Sequence, residues 1–289
     1  MNNKKSFVEA IFHGTFFACG ILSIGFVVGI TVYLIISGIP AIAEIGPVEF
    51  LLGQVWNPGK GQFGVLPFIL TSVYGTLGAL VVGLPLGLFT AMFLSKYAGK
   101  KSGRIIRSAV ELLAGIPSVV YGLVGMIVLV PAVQGAFNLS SGATLLAAIV
   151  VLTIMILPYI VNVSSTALDA VPKEYEEGSL ALGATNTETY FKVSLHAARS
   201  GVATAIIQGV GRALGEAMAI IMVAGNVANM PGLFTSVRFL TTAIASEMSY
   251  AAYGSLQRNA LYSIGLVLFL FIMLINVLLN VFIKNRKED

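Results

Sequence analysis

Six stretches of the chain are almost unbroken in apolar residues: roughly 11–36, 67–95, 110–131, 143–163, 202–227 and 259–283. A helix of about 20 apolar residues crosses a bilayer's hydrocarbon core. None of the six alternates apolar with polar positions, as the strands of a membrane barrel do. The pattern predicts an all-α membrane protein with six transmembrane helices. Composition agrees, with 57% of residues hydrophobic and 10% charged, where a soluble domain carries about 25% charged residues.

Between the spans, the basic residues fall on alternate sides. With the N-terminus inside, the inside segments are 1–10, 96–109, 164–201 and 284–289. They hold Lys4, Lys5, Lys96, Lys100, Lys101, Arg104, Arg107, Lys173, Lys192, Arg199, Lys284, Arg286 and Lys287. The outside segments hold only Lys60, Arg238 and Arg258. Basic residues accumulate in cytoplasmic loops, so both termini are predicted cytoplasmic. The net charge of +4 then reflects orientation, and no nucleic-acid partner is called for.

Pro67, Pro85, Pro117, Pro131 and Pro158 lie in or at the ends of spans. Gly25/Gly29, Gly83/Gly87 and Gly211/Gly215 stand at the small-xxx-small spacing that lets helix backbones approach. Cys19 falls within the first run and reads as a membrane-facing thiol. A lipoprotein signal ending there fits poorly, because the apolar run continues past it and exceeds the 7–15 residues or so of a signal core. Residues 37–66 form an outside loop whose Trp56 reads as an interfacial aromatic. Its Gly59–Gly64 segment matches G-x-G-x-x-G but follows no strand and opens no βαβ unit, so it carries no nucleotide expectation. No Walker A sequence occurs. The outside segment 228–258 is predicted to hold a short or re-entrant helix, with Arg238 and Glu247 solvated. Glu111 is expected at the cytoplasmic opening of span three, and Thr153 and Asn162 as interhelical hydrogen-bond partners. His13 and His196 lack a third ligand, so no metal is assigned.

The fifth run carries Arg212 and Glu216 in an apolar setting. A charge near the middle of a membrane helix costs about 2.5–3.5 kcal/mol on the insertion scale, and such residues face the bundle interior or water. Four residues apart, the two share a helical face, and Gln208 extends it by a turn. Either the pair neutralises itself and ties helices together, or the stripe lines a path for a polar solute. In the second case arginine favours an anion, because its guanidinium fork suits phosphate or carboxylate oxygens.

The segment 174–196, EYEEGSLALGATNTETYFKVSLH, is polar yet carries Leu180, Leu182, Ala184 and Phe191 as an apolar stripe. Pro172 with Glu174, Glu176 and Glu177 marks a helix start. Gly183 interrupts it, and Thr185 or Asn186 is placed to cap a second helix. A helix–Gly–helix hairpin waiting for a cytoplasmic partner fits these signals.

The spacing Glu177-Gly178-Ser179-x3-Gly183-x9-Val193-x-Leu195 resembles the EAA loop of ABC-importer permeases. Gly178-Ser179 stand where two alanines are usual, and His196 where proline is usual. The strings LALGAT (180–185), GRALGEAMAIIMVAGN (211–226), ELLAGIPSVVYGLVG (111–125) and VWNPGKGQFGVLPFI (55–69) are similar to the PstC-type permeases of phosphate importers. The resemblance covers nearly the whole chain.

It implies the type I ABC importer permease (MetI-like) fold, with residues 1–66 as an N-terminal helix and extracytoplasmic loop before a permease core at 67–289. It implies a multi-pass protein of a prokaryotic plasma membrane. In that setting Glu174, Glu176, Glu177, Leu180, Leu182, Gly183, Ala184 and Thr185 would couple to an ATPase. Arg212 and Glu216 would line the substrate pathway, with Gln208 placed beside them by the polar stripe. The implied partners are a PstA-type permease, two PstB-type ATPase subunits that bind ATP and Mg, an extracytoplasmic phosphate-binding protein and inorganic phosphate. This chain would have no catalytic residue and no cofactor of its own. An ABC permease for sulfate, molybdate or phosphonate is the near alternative, and an ion-coupled secondary carrier the remote one.

Overall fold

The computed structural model describes residues 2–285, so Arg286 and Lys287 of the inside group lie outside the described residues. α1 (Asn2–Ile45) leads through the short α2 (Pro47–Leu52) to a hairpin of β1 (Trp56–Asn57) and β2 (Gln62–Phe63). α3 (Leu66–Met92) follows, extended by a widened turn at Phe93–Tyr97. Next come α4 (Lys100–Gly115), α5 (Ser118–Val124) and α6 (Val130–Phe137), with α5 and α6 continuous through a widened turn at Gly125–Leu129. α7 (Leu145–Asp169) precedes three short helices, α8 (Lys173–Ala181), α9 (Asn186–Glu188) and α10 (Leu195–Ala197). α11 (Arg199–Leu214), α12 (Met218–Val223), α13 (Leu240–Glu247) and α14 (Leu256–Asn285) complete the chain.

Five stretches among the described residues are helical, long and apolar enough to cross a membrane: Phe12–Ile45, Leu66–Tyr97, Ser118–Phe137, Leu145–Asp169 and Leu256–Leu278. Two of the six predicted runs need correction. The run 110–131 is split at Ile116-Pro117. Proline lacks the N–H that a helix interior needs and pushes its predecessor out of the helical region; Ile116 accordingly sits at φ −71°, ψ 127°. Its first part belongs to α4, an amphipathic helix with Lys100, Lys101, Arg104 and Arg107. Glu111 is therefore inside α4 rather than at the opening of a span. The run 202–227 is also no single rod: it breaks after Leu214 into α11 and α12, of 16 and 6 residues.

α3 and α7 pack through the glycines of α3. A Cβ on Gly87 would stand 2.6 Å from Ile160 Cγ2, and one on Gly83 2.9 Å from Ile156 Cδ1. Side chains of this chain surround neither Gly25 and Gly29 nor Gly211, so small-residue spacing marks an internal contact only at Gly83/Gly87. Leu152, Ile156, Ile160, Ile220 and Val223 fill the core between α7 and α12. α1 runs antiparallel to α14, with Ser263 Oγ donating to the Gly38 carbonyl at 2.6 Å and Tyr33 set edge-on to Tyr262. Cys19 is exposed on α1, along a helix whose apolar side chains are open for most of its length. Thr153 donates to Ile149 of its own helix, at 2.8 Å, and its oxygen lies 3.5 Å from the Ala79 carbonyl of α3. Asn162 is exposed.

The hairpin end corrects a second set of expectations. Trp56 is 7% exposed, set edge-on to Phe63 and tilted against Phe68 rather than lying free at an interface. Its Nε1 donates to Glu247 at 3.0 and 3.1 Å. Glu247 also accepts from Gln257 Nε2 at 3.0 Å and forms an ion pair with Arg238. Arg238 donates in turn to the Asn226 carbonyl through Nε and Nη2. Neither charge is solvated in the expected sense. A largely buried carboxylate needs its lone pairs filled, and here three separate segments supply the donors.

Candidate functional site

Arg212 lies in the last turn of α11, and Glu216 in the gap before α12. The Arg212 Nη2 to Glu216 Oε2 distance is 3.4 Å. The expected i, i+4 pairing thus survives although the helix does not continue. Glu216 is 4% exposed and Arg212 38%. The Glu216 side chain takes over the work of the missing helical turn: Oε1 accepts from the Ala219 N–H at 3.1 Å. Its backbone carbonyl accepts from Thr241 Oγ1 of α13 at 2.6 Å. The break is therefore satisfied on both strands of the chain, as an interruption in an apolar setting requires.

The guanidinium of Arg212 lies 6.0 Å from the ring of Tyr159, two residues past the middle of α7. Its Nε is buried without a hydrogen-bond partner. Gln208, a turn earlier, is exposed. A Cβ on Gly211 would meet nothing within 4 Å. The stripe of Gln208, Gly211 and Arg212 thus opens away from this chain, while α12 is held closely on α5, where a Cβ on Gly122 would stand 2.8 Å from Ala219 Cα. Chemically, this is a cation held by one buried acid beside an unfilled polar flank. A guanidinium so placed can offer donors to an anion while one acid balances its charge. Tyr159 and Thr241 are the members that sequence reasoning missed; neither carries a local signal, because the fold brings both in from other helices.

The second group of expected residues forms a folded loop at the opposite ends of α3 and α7 from the hairpin. α8 begins after Pro172 and ends at Gly183, whose φ of +89° is the left-handed conformation glycine favours. Thr185 then caps α9 in a reciprocal box: its Oγ1 accepts from the Glu188 N–H, and Glu188 Oε2 accepts from the Thr185 N–H at 3.1 Å. These bonds, with Lys192 beside it, hold the exposed Glu188 carboxyl below its ordinary value.

Glu176 does not point outward with its neighbours. It pairs with Lys96 at the end of α3 and accepts from Ser194 Oγ at 2.7 Å. Burial works to raise its carboxyl, but the bonds from Lys96 and Ser194 and the charges of Lys96 and Lys173 outweigh it and leave it lowered. Glu174, Glu177, Leu180 and Leu182 are exposed, Leu182 at 91%, and Ala184 is half-buried. Phe191 turns back to α3, its ring 6.5 Å from Phe89. Lys96 and Ser194, the anchors of Glu176, were not foreseen. The loop thus has an inner anchor and an outer apolar face.

Residues 83–286 match the family described as "Binding-protein-dependent transport system inner membrane component". The chain belongs to that family. It is an ABC importer permease, a multi-pass membrane subunit, and the family's description implies work with a substrate-binding protein and an ATPase. Among its relatives, "Probable ABC transporter permease protein YqgH" of Bacillus subtilis is 41% identical over 90% of this chain and 87% of that protein. "Phosphate transport system permease protein PstC" of Mesorhizobium japonicum is 33% identical over 94% of this chain and 89% of that protein. The Haemophilus influenzae protein of the same description is 32% identical over 99% and 96%. In fold, the permease is similar to a chain of an inward-facing MetNI methionine ABC transporter. The TM-score is 0.56 with 20% identity, covering 83% of this chain and 98% of that one. The MetI-like permease fold expected from the sequence is the fold observed.

Proposed function

We propose that this permease is the PstC-type subunit of an ATP-driven importer of inorganic phosphate. The observation that carries the reading is full-length similarity to phosphate permeases, at 33% and 32% identity. A PstA-type permease completes the membrane pathway on the open flank of Gln208, Gly211 and Arg212. Two PstB-type ATPase subunits bind ATP and Mg, and an extracytoplasmic phosphate-binding protein delivers the anion. The six-span arrangement with cytoplasmic termini counts α11 and α12 together as one crossing.

Arg212 partly offsets the phosphate charge along the path. Glu216 holds the guanidinium in place and limits how tightly the anion is bound, so that release stays fast. Phosphate crosses unchanged, and no residue here performs chemistry on it. Exposed Leu180 and Leu182 with Glu174 and Glu177 dock on the ATPase. Glu176 passes the motion of that loop to α3 through Lys96. Gly183, Ala184 and Thr185 set the bend between the two arms.

Transport by the purified complete complex tests the reading: ATP-driven uptake of phosphate well above sulfate and molybdate is expected. Preference for either of those anions would instead make it an importer of another oxyanion. Substrate uptake by this chain with no ATPase bound would overturn the ABC mechanism in favour of a secondary carrier.

A further inference from the structure

One basic surface, on α4, belongs to neither the proposed pathway nor the loop 174–196. α4 carries Lys100, Lys101, Arg104 and Arg107 within its first two turns. Between α4 and the end of α3 lies a cavity of about 500 Å³ lined by Leu94, Lys100, Gly103, Arg104, Arg107 and Glu111, among others. Arg107 is already committed, donating to Asp169 at the end of α7 at 3.0 Å. Lys100 and Arg104 form no ion pair among the described residues. Glu111 stands one turn beyond Arg107, so the cavity's uncompensated positive charge lies at the start of α4.

α4 also climbs alongside the membrane-crossing core. Arg107 meets α7 at its last residue, whereas Val110 packs with Leu94 and with Val161, two turns further back along α7. Beyond the basic turns the helix leaves Leu112 exposed on the other side of its axis from the buried Val110. A cationic cavity thus sits where the apolar segments end, with an unpartnered apolar residue further along the same helix.

We propose that this cavity binds the phosphoryl headgroup of an anionic phospholipid from the cytoplasmic leaflet. Two unpaired cations match a phosphodiester, the apolar wall of Leu94 and Ala98 matches its glycerol and upper chains, and the cytoplasmic leaflet carries such lipids. A free phosphate ion offers the same oxygens but nothing to lie against that wall. The inference does not depend on which solute the permease carries.

The test uses the complete importer, purified from membranes containing phosphatidylglycerol, with retained lipid quantified after detergent washing. Arg104→Gln is expected to lower retained phosphatidylglycerol about tenfold or more, the effect of losing a hydrogen bond to a charged group. Arg104→Lys, which keeps the charge, is expected to restore most of it. Lys101→Gln, on the same helix but off the cavity, is expected to lower it no more than about fivefold, the effect of one basic residue near an anionic surface. Equal losses in Arg104→Gln and Lys101→Gln would reduce the effect to general surface attraction and overturn the site. Full retention in Arg104→Gln would overturn it as well. Displacement of the lipid by millimolar inorganic phosphate would give the cavity to the free ion instead. All three variants alter exposed side chains, so complex assembly remains an internal control.

Discussion

Arg212 and Glu216 face each other across a break between two helices, with Nη2 and Oε2 3.4 Å apart. The acid is buried and the base is half open. Glu216 therefore has two tasks, capping α12 through the Ala219 N–H and compensating Arg212. Glu216→Gln separates them: the amide oxygen keeps the cap, while the negative charge is lost. Phosphate should then bind more tightly and leave more slowly, lowering both KM and maximal uptake in proteoliposomes. A rise in KM would contradict the assigned role of the acid.

Glu176 gives the loop over 173–196 a pH dependence with a definite sign. Its carboxyl is lowered in the folded protein, so its contribution is complete above the ordinary carboxylate range and is lost as pH falls through the depressed value. Hydrogen-exchange protection over 173–196, taken relative to the intrinsic rate at each pH, should hold down to about pH 5 and fall below it. Glu176→Gln should remove that acid dependence and weaken the loop at neutral pH by about 1.5–3 kcal/mol, the range for a hydrogen bond to a charged group. Exchange rates that ignore both changes would show that Lys96 and Ser194 do not anchor the loop.

Leu182 contributes almost nothing to the chain's own packing, because it is 91% exposed. Leu182→Asp should shift the stability of the isolated permease by no more than about 0.5 kcal/mol. It should nevertheless impair recovery of the ATPase in pull-downs and reduce transport-coupled ATP hydrolysis. Normal recovery of the ATPase would remove Leu182 from the docking face.

At the hairpin end, Glu247→Ala leaves Arg238 largely buried without its acid and Trp56 without an acceptor. Breaking a pair of this kind costs about 3 kcal/mol. Gln257→Leu keeps the size of the side chain and loses only the Nε2 donor to Glu247, for about 1.5 kcal/mol. Thermal unfolding of the two variants should rank in that order.

Much of this architecture is legible in the sequence because the bilayer imposes length and apolarity on each crossing. The loop is legible too: Pro172, Gly183 and Thr185 are local signals, and each appears in the structure at its expected job. The split at Ile116-Pro117 carried an equally local signal that the apolar run obscured. The break after Leu214 carried only a weak one: Gly215 caps α11, but at φ −83°, a conformation any residue adopts. Residues 211–224 are rich in good helix formers, and the interruption is secured by Thr241, 25 residues away from Glu216 in sequence. Pairings such as Lys96 with Glu176 or Trp56 with Glu247 span 80 and 191 residues, distances over which periodicity says nothing. Hence Glu247 read as solvated, and Glu176 as one of several outward acids.

The central claim is that Arg212 serves the passage of phosphate. Uptake of radiolabelled phosphate by the complete complex in ATP-loaded proteoliposomes tests it most directly, with Arg212→Gln beside the unchanged permease. The account predicts that the variant assembles with its partners, still hydrolyses ATP, and loses nearly all uptake. Uptake equal to that of the unchanged complex would contradict it.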